Sequence, residues 1–251
     1  MDLGISGRRA AVAAASGGLG FASAQALARD GVRLAICGRD TDRLEQAAAA
    51  LRADGADVVG IQADVSTTDG AAAFIEQSVA ALGGLDIVVP NAGGPPGGGF
   101  DAIDLEAYRA AVELNLLSTV AMCQLAVPAM RTAGWGRVVA ITSISVRQPI
   151  DGLILSNTAR AGLTGFLKTL AIEVAGDGVT VNSVQPGSHS TDRLRSLHGG
   201  DLTGAAARIP TKALGRPEDF GAVVAFLCSD QARFITGTAV PVDGGAHRGL
   251  Q

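Results

Sequence analysis

Short runs of apolar residues alternate along this chain with longer stretches whose apolar positions recur at helical spacing. Seven such runs read as strands: Ala10–Ala14, Arg33–Cys37, Val58–Gln62, Ile87–Val89, Arg137–Ile141, Thr180–Val184 and Ala239–Val242. Between them, Leu44, Ala47, Ala48 and Leu51 share one helix face, as do Phe74, Ile75, Ser78, Val79 and Leu82. Strands alternating with helices make βαβ units, and such units build a parallel sheet. Val138-Val139-Ala140-Ile141 shows no polar alternation, so both faces of that sheet must be covered. The pattern predicts a doubly wound α/β fold with a seven-stranded parallel sheet and helices on both faces.

Two breaks interrupt the alternation. Gly93–Gly99 suits neither helix nor strand, and Ser188–Gly204 is polar, glycine-spaced and preceded by Pro186-Gly187. Elements of the same sheet flank both, so residues 1–251 are expected to form one domain, with a flap at about 188–209 over a cleft. The length of 251 residues suits one α/β unit, and the 47% of apolar residues supply its core. With aromatics at 4%, Ala, Val, Leu and Ile must fill that core.

Charge and cysteine usage narrow the function. A net charge of −4 argues against a nucleic-acid partner, which needs a concentrated basic face. No uninterrupted apolar run approaches the ~20 residues that span a bilayer, and Met1-Asp2-Leu3-Gly4 lacks the basic start of a secretory signal. Cys37, Cys123 and Cys228 lie far apart in apolar surroundings and read as reduced core residues, which suits a cytoplasmic compartment. No clustered His, Cys, Asp or Glu suggests a metal site.

The strongest chemical signal follows the first strand. Ala14-Ala15-Ser16-Gly17-Gly18-Leu19-Gly20 leads from that strand into the first helix. In that context it can cradle a pyrophosphate, as in a Rossmann dinucleotide site: glycines let the backbone approach, and the helix N-terminus points free N–H groups at the anion. Gly18 and Gly20 are equally compatible with a bare tight turn. Further along, the second strand ends at Cys37-Gly38-Arg39, where an NAD-selective site usually has an acid. Arg39 can pair with a 2′-phosphate, or be an ordinary solvated arginine. Asp64 is placed to accept from an adenine amino group, or to form a turn.

Taken together, these segments resemble the short-chain dehydrogenase/reductase family, and the β-ketoacyl-ACP reductase-like branch in particular. The likeness covers nearly the whole chain. It rests on the glycine loop, Asp64-Val65, Asn91-Ala92-Gly93, Asn115 within Glu-Leu-Asn-Leu-Leu, Ser143 and Asn182-Ser183-Val184-Gln185-Pro186-Gly187. Gly215-Arg216-Pro217-Glu218-Asp219 and the ending Val242-Asp243-Gly244-Gly245 complete it. The resemblance implies that Asn91, Ala92 and Gly93 pack beside the adenosine ribose and that the residues after Pro186-Gly187 approach the nicotinamide. It also exposes a departure: Ala13 and Ala14 stand where the family's loop begins with Thr-Gly.

The resemblance further implies a catalytic set of Asn, Ser, Tyr and Lys. Asn115 and Ser143 match the first two. The Tyr-x-x-x-Lys pair belongs 13 residues after Ser143, where this chain has Ser156, with Arg160 at the lysine position. Helical spacing puts both on one face. The one tyrosine, Tyr108, lies in the helix before Asn115 and reads as a packing residue. Serine is far less acidic than a phenol, which titrates near ~10. Arg160 can hold ribose hydroxyls and oppose a developing alkoxide, but it does not release its proton. His189, in the stretch resembling the nicotinamide-facing segment, is a candidate replacement donor, ahead of Asp151 and Gln148 in the loop before Ser156, with an exposed loop histidine as the plainer alternative.

The expected function is an NADP(H)-dependent oxidoreductase that reduces a carbonyl or oxidises a secondary alcohol, with NAD(H) also possible. Its alternative is a dinucleotide-binding protein with little redox activity; a lyase or isomerase ranks lower. The expected partners are a small carbonyl or alcohol substrate and further copies of the chain, as a homotetramer or dimer, the oligomer being implied by the resemblance alone.

Overall fold

The strands are β1 (Arg9–Val12), β2 (Arg33–Gly38), β3 (Val58–Gln62), β4 (Ile87–Val89), β5 (Gly136–Ile141), β6 (Val179–Pro186) and β7 (Ala239–Val242). All pair in parallel in one sheet of order β3-β2-β1-β4-β5-β6-β7. They come from a computed structural model, which describes residues 2–197 and 202–250. Nine helices are seen among the described residues: α1 (Gly18–Arg29), α2 (Thr41–Ala53), α3 (Thr68–Leu82), α4 (Leu105–Val112), α5 (Ser118–Ala133), α6 (Ile154–Val174), α7 (Asp192–Leu197), α8 (Thr203–Ala207) and α9 (Pro217–Cys228).

The helices start and stop where local chemistry directs. Asp40, Thr67 and Asp104 cap α2, α3 and α4 by accepting from Arg43, Gly70 and Ala107 N–H groups. Pro217 opens α9, and Gly83 closes α3 in the left-handed region that glycine adopts freely. Helix α1, like α6 and α9, starts with no capping side chain, and Gly17 precedes it. Its first N–H groups are therefore left for something else.

Apolar residues fill both faces of the sheet, as the lack of alternation predicted. Phe74, Met122, Met130 and Leu163 pack on one side, beneath α3, α5 and α6. Leu27, Ile36, Leu51 and Phe220 fill the other, beneath α1, α2 and α9. Each side chain of this size contributes about 1.5–3 kcal/mol on burial. The three cysteines are buried within these layers, and burial pushes each thiol up to about 12, so they are unreactive packing residues. Helix α4, the π-helical segment Glu113–Leu117 and α5 continue into one another as Leu105–Ala133. Among the described residues this stretch alone has the length and apolar composition to cross a bilayer, but it packs along α3 and α6.

Three boundaries differ from expectation. Strand β1 ends at Val12, two residues early, because Ala14 turns to φ 46° and leaves the ladder. Strand β6 runs on to Pro186, since β7 pairs with it through Pro186–Val242. The flap, expected as irregular chain, holds α7 and α8; residues 198–201 of it lie outside the described residues.

Candidate functional site

The site collects at the C-terminal ends of β1, β4, β5 and β6, the edge where open parallel sheets bind ligands. After β1, the chain turns through Ala14 and enters α1 at Gly18, which has φ 59°. The Asn91 amide, beyond β4, donates to the carbonyls of Ala13 and Ala14 at 3.2 and 3.3 Å. A Cβ on Gly20 would lie 2.5 Å from the Ala14 oxygen and 2.8 Å from Asn91 Nδ2, so this position accepts only glycine. Gly20 therefore supports the loop from behind, while Ser16, Gly17, Gly18 and Leu19 face the cavity.

The end of β2 lies outside that cavity. Arg39 is exposed, and its carbonyl accepts from Gln62. Asp64 accepts from the Ser66 N–H at 3.0 Å in a turn. Burial alone would raise its carboxyl, but the Ser66 hydrogen bonds and the Arg39 charge outweigh it and hold the group below its ordinary range. Val65 is buried in the core, so it could meet a ligand only through its backbone. Arg43 was not picked out by sequence reasoning, yet it lines the cavity beside Gly17. Its signal was a basic residue in the first turn of the helix after β2, where side chains lean back toward the strand end.

Asn115 belongs to the π-helical segment Glu113–Leu117, a wide turn of the kind found at functional sites. Its Nδ2 donates to the Gly93 carbonyl at 3.0 Å, while its Oδ1 is buried with no partner. Asn115 thus braces the Gly93 loop rather than lining the cavity. Ser143, at the end of β5, caps the turn Ile144–Val146 by accepting from Ser145 N–H, and it faces the cavity.

Ser156 and Arg160 stand one turn apart on α6, and both line the cavity. Neither belongs to the apolar clusters that dock this helix. Arg160 is 8% exposed, and its Nη1 donates to the Ile141 and Thr142 carbonyls, each at 3.2 Å. Burial, reinforced by the Arg193 charge, pulls its guanidinium down to about 10, so it stays a cation at neutral pH.

His189 takes a different posture from the expected proton donor. Its Nδ1 lies 3.2 Å from the Gly187 carbonyl, which makes Nδ1 the protonated nitrogen of the neutral ring. The ring meets Phe220 edge-on at 5.3 Å, and its Cδ2–Nε2 edge lies against Gly215. Burial outweighs the nearby Asp219 and Asp243 charges and lowers its pKa. Although His189 borders the cavity, its one ring proton is already engaged. Next to it, Pro186 and Gly187 line the cavity wall at the end of β6.

The flap is tied across the opening at two points. Arg43 Nη2 lies 3.3 Å from Asp192 Oδ2, and Arg193 Nη2 donates to the Pro95 carbonyl at 2.9 Å. The cleft beneath the flap measures about 490 Å³. It brings together Ala14, Ser16–Leu19 and Asn91–Gly93 on one side with Ser143, Ser156 and Arg160 on the other. Arg39, Asp64, Val65, Gly20 and Asn115 remain behind or beyond its walls. The arrangement offers free helix N–H groups for an anion at one end, and a hydroxyl pair beside a buried cation at the other.

A family model described as Enoyl-(Acyl carrier protein) reductase matches residues 13–247. Acetoacetyl-CoA reductase of Cupriavidus necator is 34% identical over 243 residues, covering 96% of this chain and 99% of that one. 3-oxoacyl-[acyl-carrier-protein] reductase FabG of Pseudomonas aeruginosa is 34% identical over 245 residues, covering 98% of this chain and 99% of that one. Among solved structures, L-sorbose reductase from Gluconobacter frateurii, complexed with NADPH and L-sorbose, is similar with a TM-score of 0.93 and 34% identity over 100% of both chains.

Proposed function

The chain belongs to the short-chain dehydrogenase/reductase family, in its ketoacyl reductase-like branch, and on that premise we propose that it is an NADP(H)-dependent oxidoreductase acting on a carbonyl or secondary alcohol. The observation that carries this reading is the shared cavity: the uncapped start of α1 opens into the same space as Ser143 and the buried Arg160 cation.

The residues fit a phosphorylated dinucleotide. The free N–H groups of α1 and the Gly20 cradle suit a pyrophosphate. Arg39, with Arg43 near the loop, supplies guanidinium for a 2′-phosphate, while Asp64 and the Asn91-Ala92-Gly93 segment serve the adenosine end. When bound, the reduced nicotinamide supplies a hydride. Ser143 holds the substrate oxygen, and Arg160 opposes the negative charge that grows there. Ser156 adds a hydroxyl without the acidity of a phenol, so the proton comes from water rather than from a strong acid. His189 holds the Gly187 carbonyl, and Asn115 positions Gly93. Holding the reactants close remains the main catalytic resource, worth up to ~7–11 kcal/mol.

A second reading, a dinucleotide-binding protein with little redox activity, draws on the Ser156 hydroxyl in place of a phenol. Titration with NADPH and NADH, followed by nicotinamide fluorescence and then a panel of ketones and β-ketoacyl thioesters, decides between the two. Tight NADPH binding with slow oxidation supports the enzyme; binding without turnover across the panel supports the silent protein.

Assembly and location complete the proposal. Exposed Leu105, Leu117, Leu125 and Ile172 on the α4–α5 stretch and α6 suit pairing with a second copy. A homotetramer is the proposed state, with a dimer as its half-assembly, in a cytoplasmic compartment. A monomeric mass by light scattering would reject it.

A further inference from the structure

Two guanidinium groups line the cavity without a carboxylate to neutralise them. Among the described residues, neither Arg160 nor Arg193 makes an ion pair. The one acid in the cavity wall is Asp192, which is engaged by Arg43 and Arg195. His189 is held toward its neutral form and supplies no charge of either sign.

Both cations are fixed in place. Arg193 donates Nη2 to the Pro95 carbonyl, and its fork lies over Gly94. A Cβ there would come within 2.6 Å of Nη2 and 3.0 Å of Cζ, so the guanidinium occupies a place that only glycine leaves open. Arg160 divides one nitrogen, Nη1, between two backbone carbonyls. Each fork has five N–H donors, and each keeps most of them. Like charges in a partly desolvated space repel, which is why Arg193 adds to burial in lowering the Arg160 pKa. An anion between them would remove that repulsion and meet a fork geometry suited to carboxylate.

The phosphates of a bound dinucleotide belong at the glycine loop, which the flap approaches through Thr191 near Gly18, whereas Arg193 itself lies over Gly94 after β4. The glycine loop follows β1, whereas Ser143 follows β5, two strands away and therefore about 10 Å distant. Arg39, at the end of β2, is a further strand removed.

We propose that the substrate carries a carboxylate, as a small oxo acid or the matching hydroxy acid, held by Arg160 and Arg193 beside Ser143 with its carbon chain against Ile150, Leu153 and Leu194. This rests on the redox reading above. In the reducing direction, a hydride from reduced nicotinamide goes to the oxo carbon and a proton from water to its oxygen, and the carboxylate is unchanged.

The test is calorimetry on the protein saturated with NADP⁺, using pyruvate, 3-oxobutanoate and 4-oxopentanoate, each against its own methyl ester at fixed ionic strength. At least one acid is expected to bind about tenfold or more tighter than its ester. Arg193→Met should abolish that preference, and Arg193→Lys should keep part of it. Because Arg193 is exposed on a helix of six residues, both variants should fold. The proposal is overturned if no acid outbinds its ester, or if the preference survives in Arg193→Met. It is also overturned if the preference appears only without NADP⁺, because the cations then serve the cofactor's phosphates. A protein that binds no NADP⁺ yet prefers the acids keeps the anion site and loses the redox reading.

Discussion

Asn91 holds Ala14 in a backbone conformation that alanine seldom adopts. Its Nδ2 donates to the Ala14 carbonyl at 3.3 Å, while Ala14 has φ 46°. For an L-residue this region costs roughly 1–2 kcal/mol, partly offset by the lower chain entropy that alanine brings compared with glycine. Ala14→Gly is therefore expected to stabilise the protein by about 0.5–1 kcal/mol, read as a higher urea midpoint, without weakening NADPH binding. An unchanged or lower midpoint would mean that the turn carries no strain.

Gly20→Ala should act in the opposite sense. Its methyl would meet the Ala14 carbonyl and the Asn91 amide, and backbone cannot retreat cheaply. We expect a loss of about 1–3 kcal/mol, with weakened NADPH binding in whatever protein remains folded.

Arg39 and Arg43 should set cofactor choice. Arg39→Ala is expected to weaken NADPH binding by about ten- to a hundredfold and leave NADH within about threefold, as fits loss of a charge-assisted contact. Arg43→Ala should weaken both cofactors, since it borders the glycine loop. Because its pair with Asp192 is exposed, folding stability should change by less than ~1 kcal/mol. Fluorescence titration of both variants with both cofactors checks this; equal losses for Arg39→Ala would discard its phosphate role.

Ser156→Tyr tests proton delivery. The position faces the open cavity, so a ring has room to enter. A positioned acid is worth about 10²–10⁴-fold, and without a lysine partner we expect less than that range, about tenfold in kcat. Ser156→Ala should cost less than about threefold. A large loss in Ser156→Ala would show that the serine itself carries the proton.

Stability should fall on mild acidification because of His189. Burial lowers its folded pKa below the ordinary ~6.5. The unfolded chain then binds more protons as the pH drops, so the stabilisation is fully present above ~6.5 and is lost as pH falls toward the folded pKa. Urea midpoints at pH 7.5 and 5.5 should differ in the parent and converge in His189→Gln. Parallel behaviour of the two proteins would assign the drop to other groups.

Much of this architecture was legible in the sequence because local patterns encode it. All seven strands lie within about two residues of their expected places, and the glycine loop, Ser143, Ser156 and Arg160 meet in one cavity. What escaped depends on distant approach. Arg43 meets Asp192 across 149 positions, and Arg193 meets Pro95 across 98. Neither pairing leaves a periodic trace. The early end of β1 escaped for a local reason: its apolar run continues through Ala13 and Ala14, and only the backbone shows the turn. His189 borders the cavity, but its ring orientation depends on Phe220 and Gly215, which no local pattern encodes.

Helix α6 separates two duties by rotation about its own axis. Leu155, Ala159, Leu163, Leu167, Ala171 and Val174 form the stripe that docks it, and Ser156 and Arg160 form the neighbouring stripe that faces the cavity. Ser156 can therefore change without disturbing the docking stripe, whereas Arg160 also holds the Ile141 and Thr142 carbonyls at the end of β5.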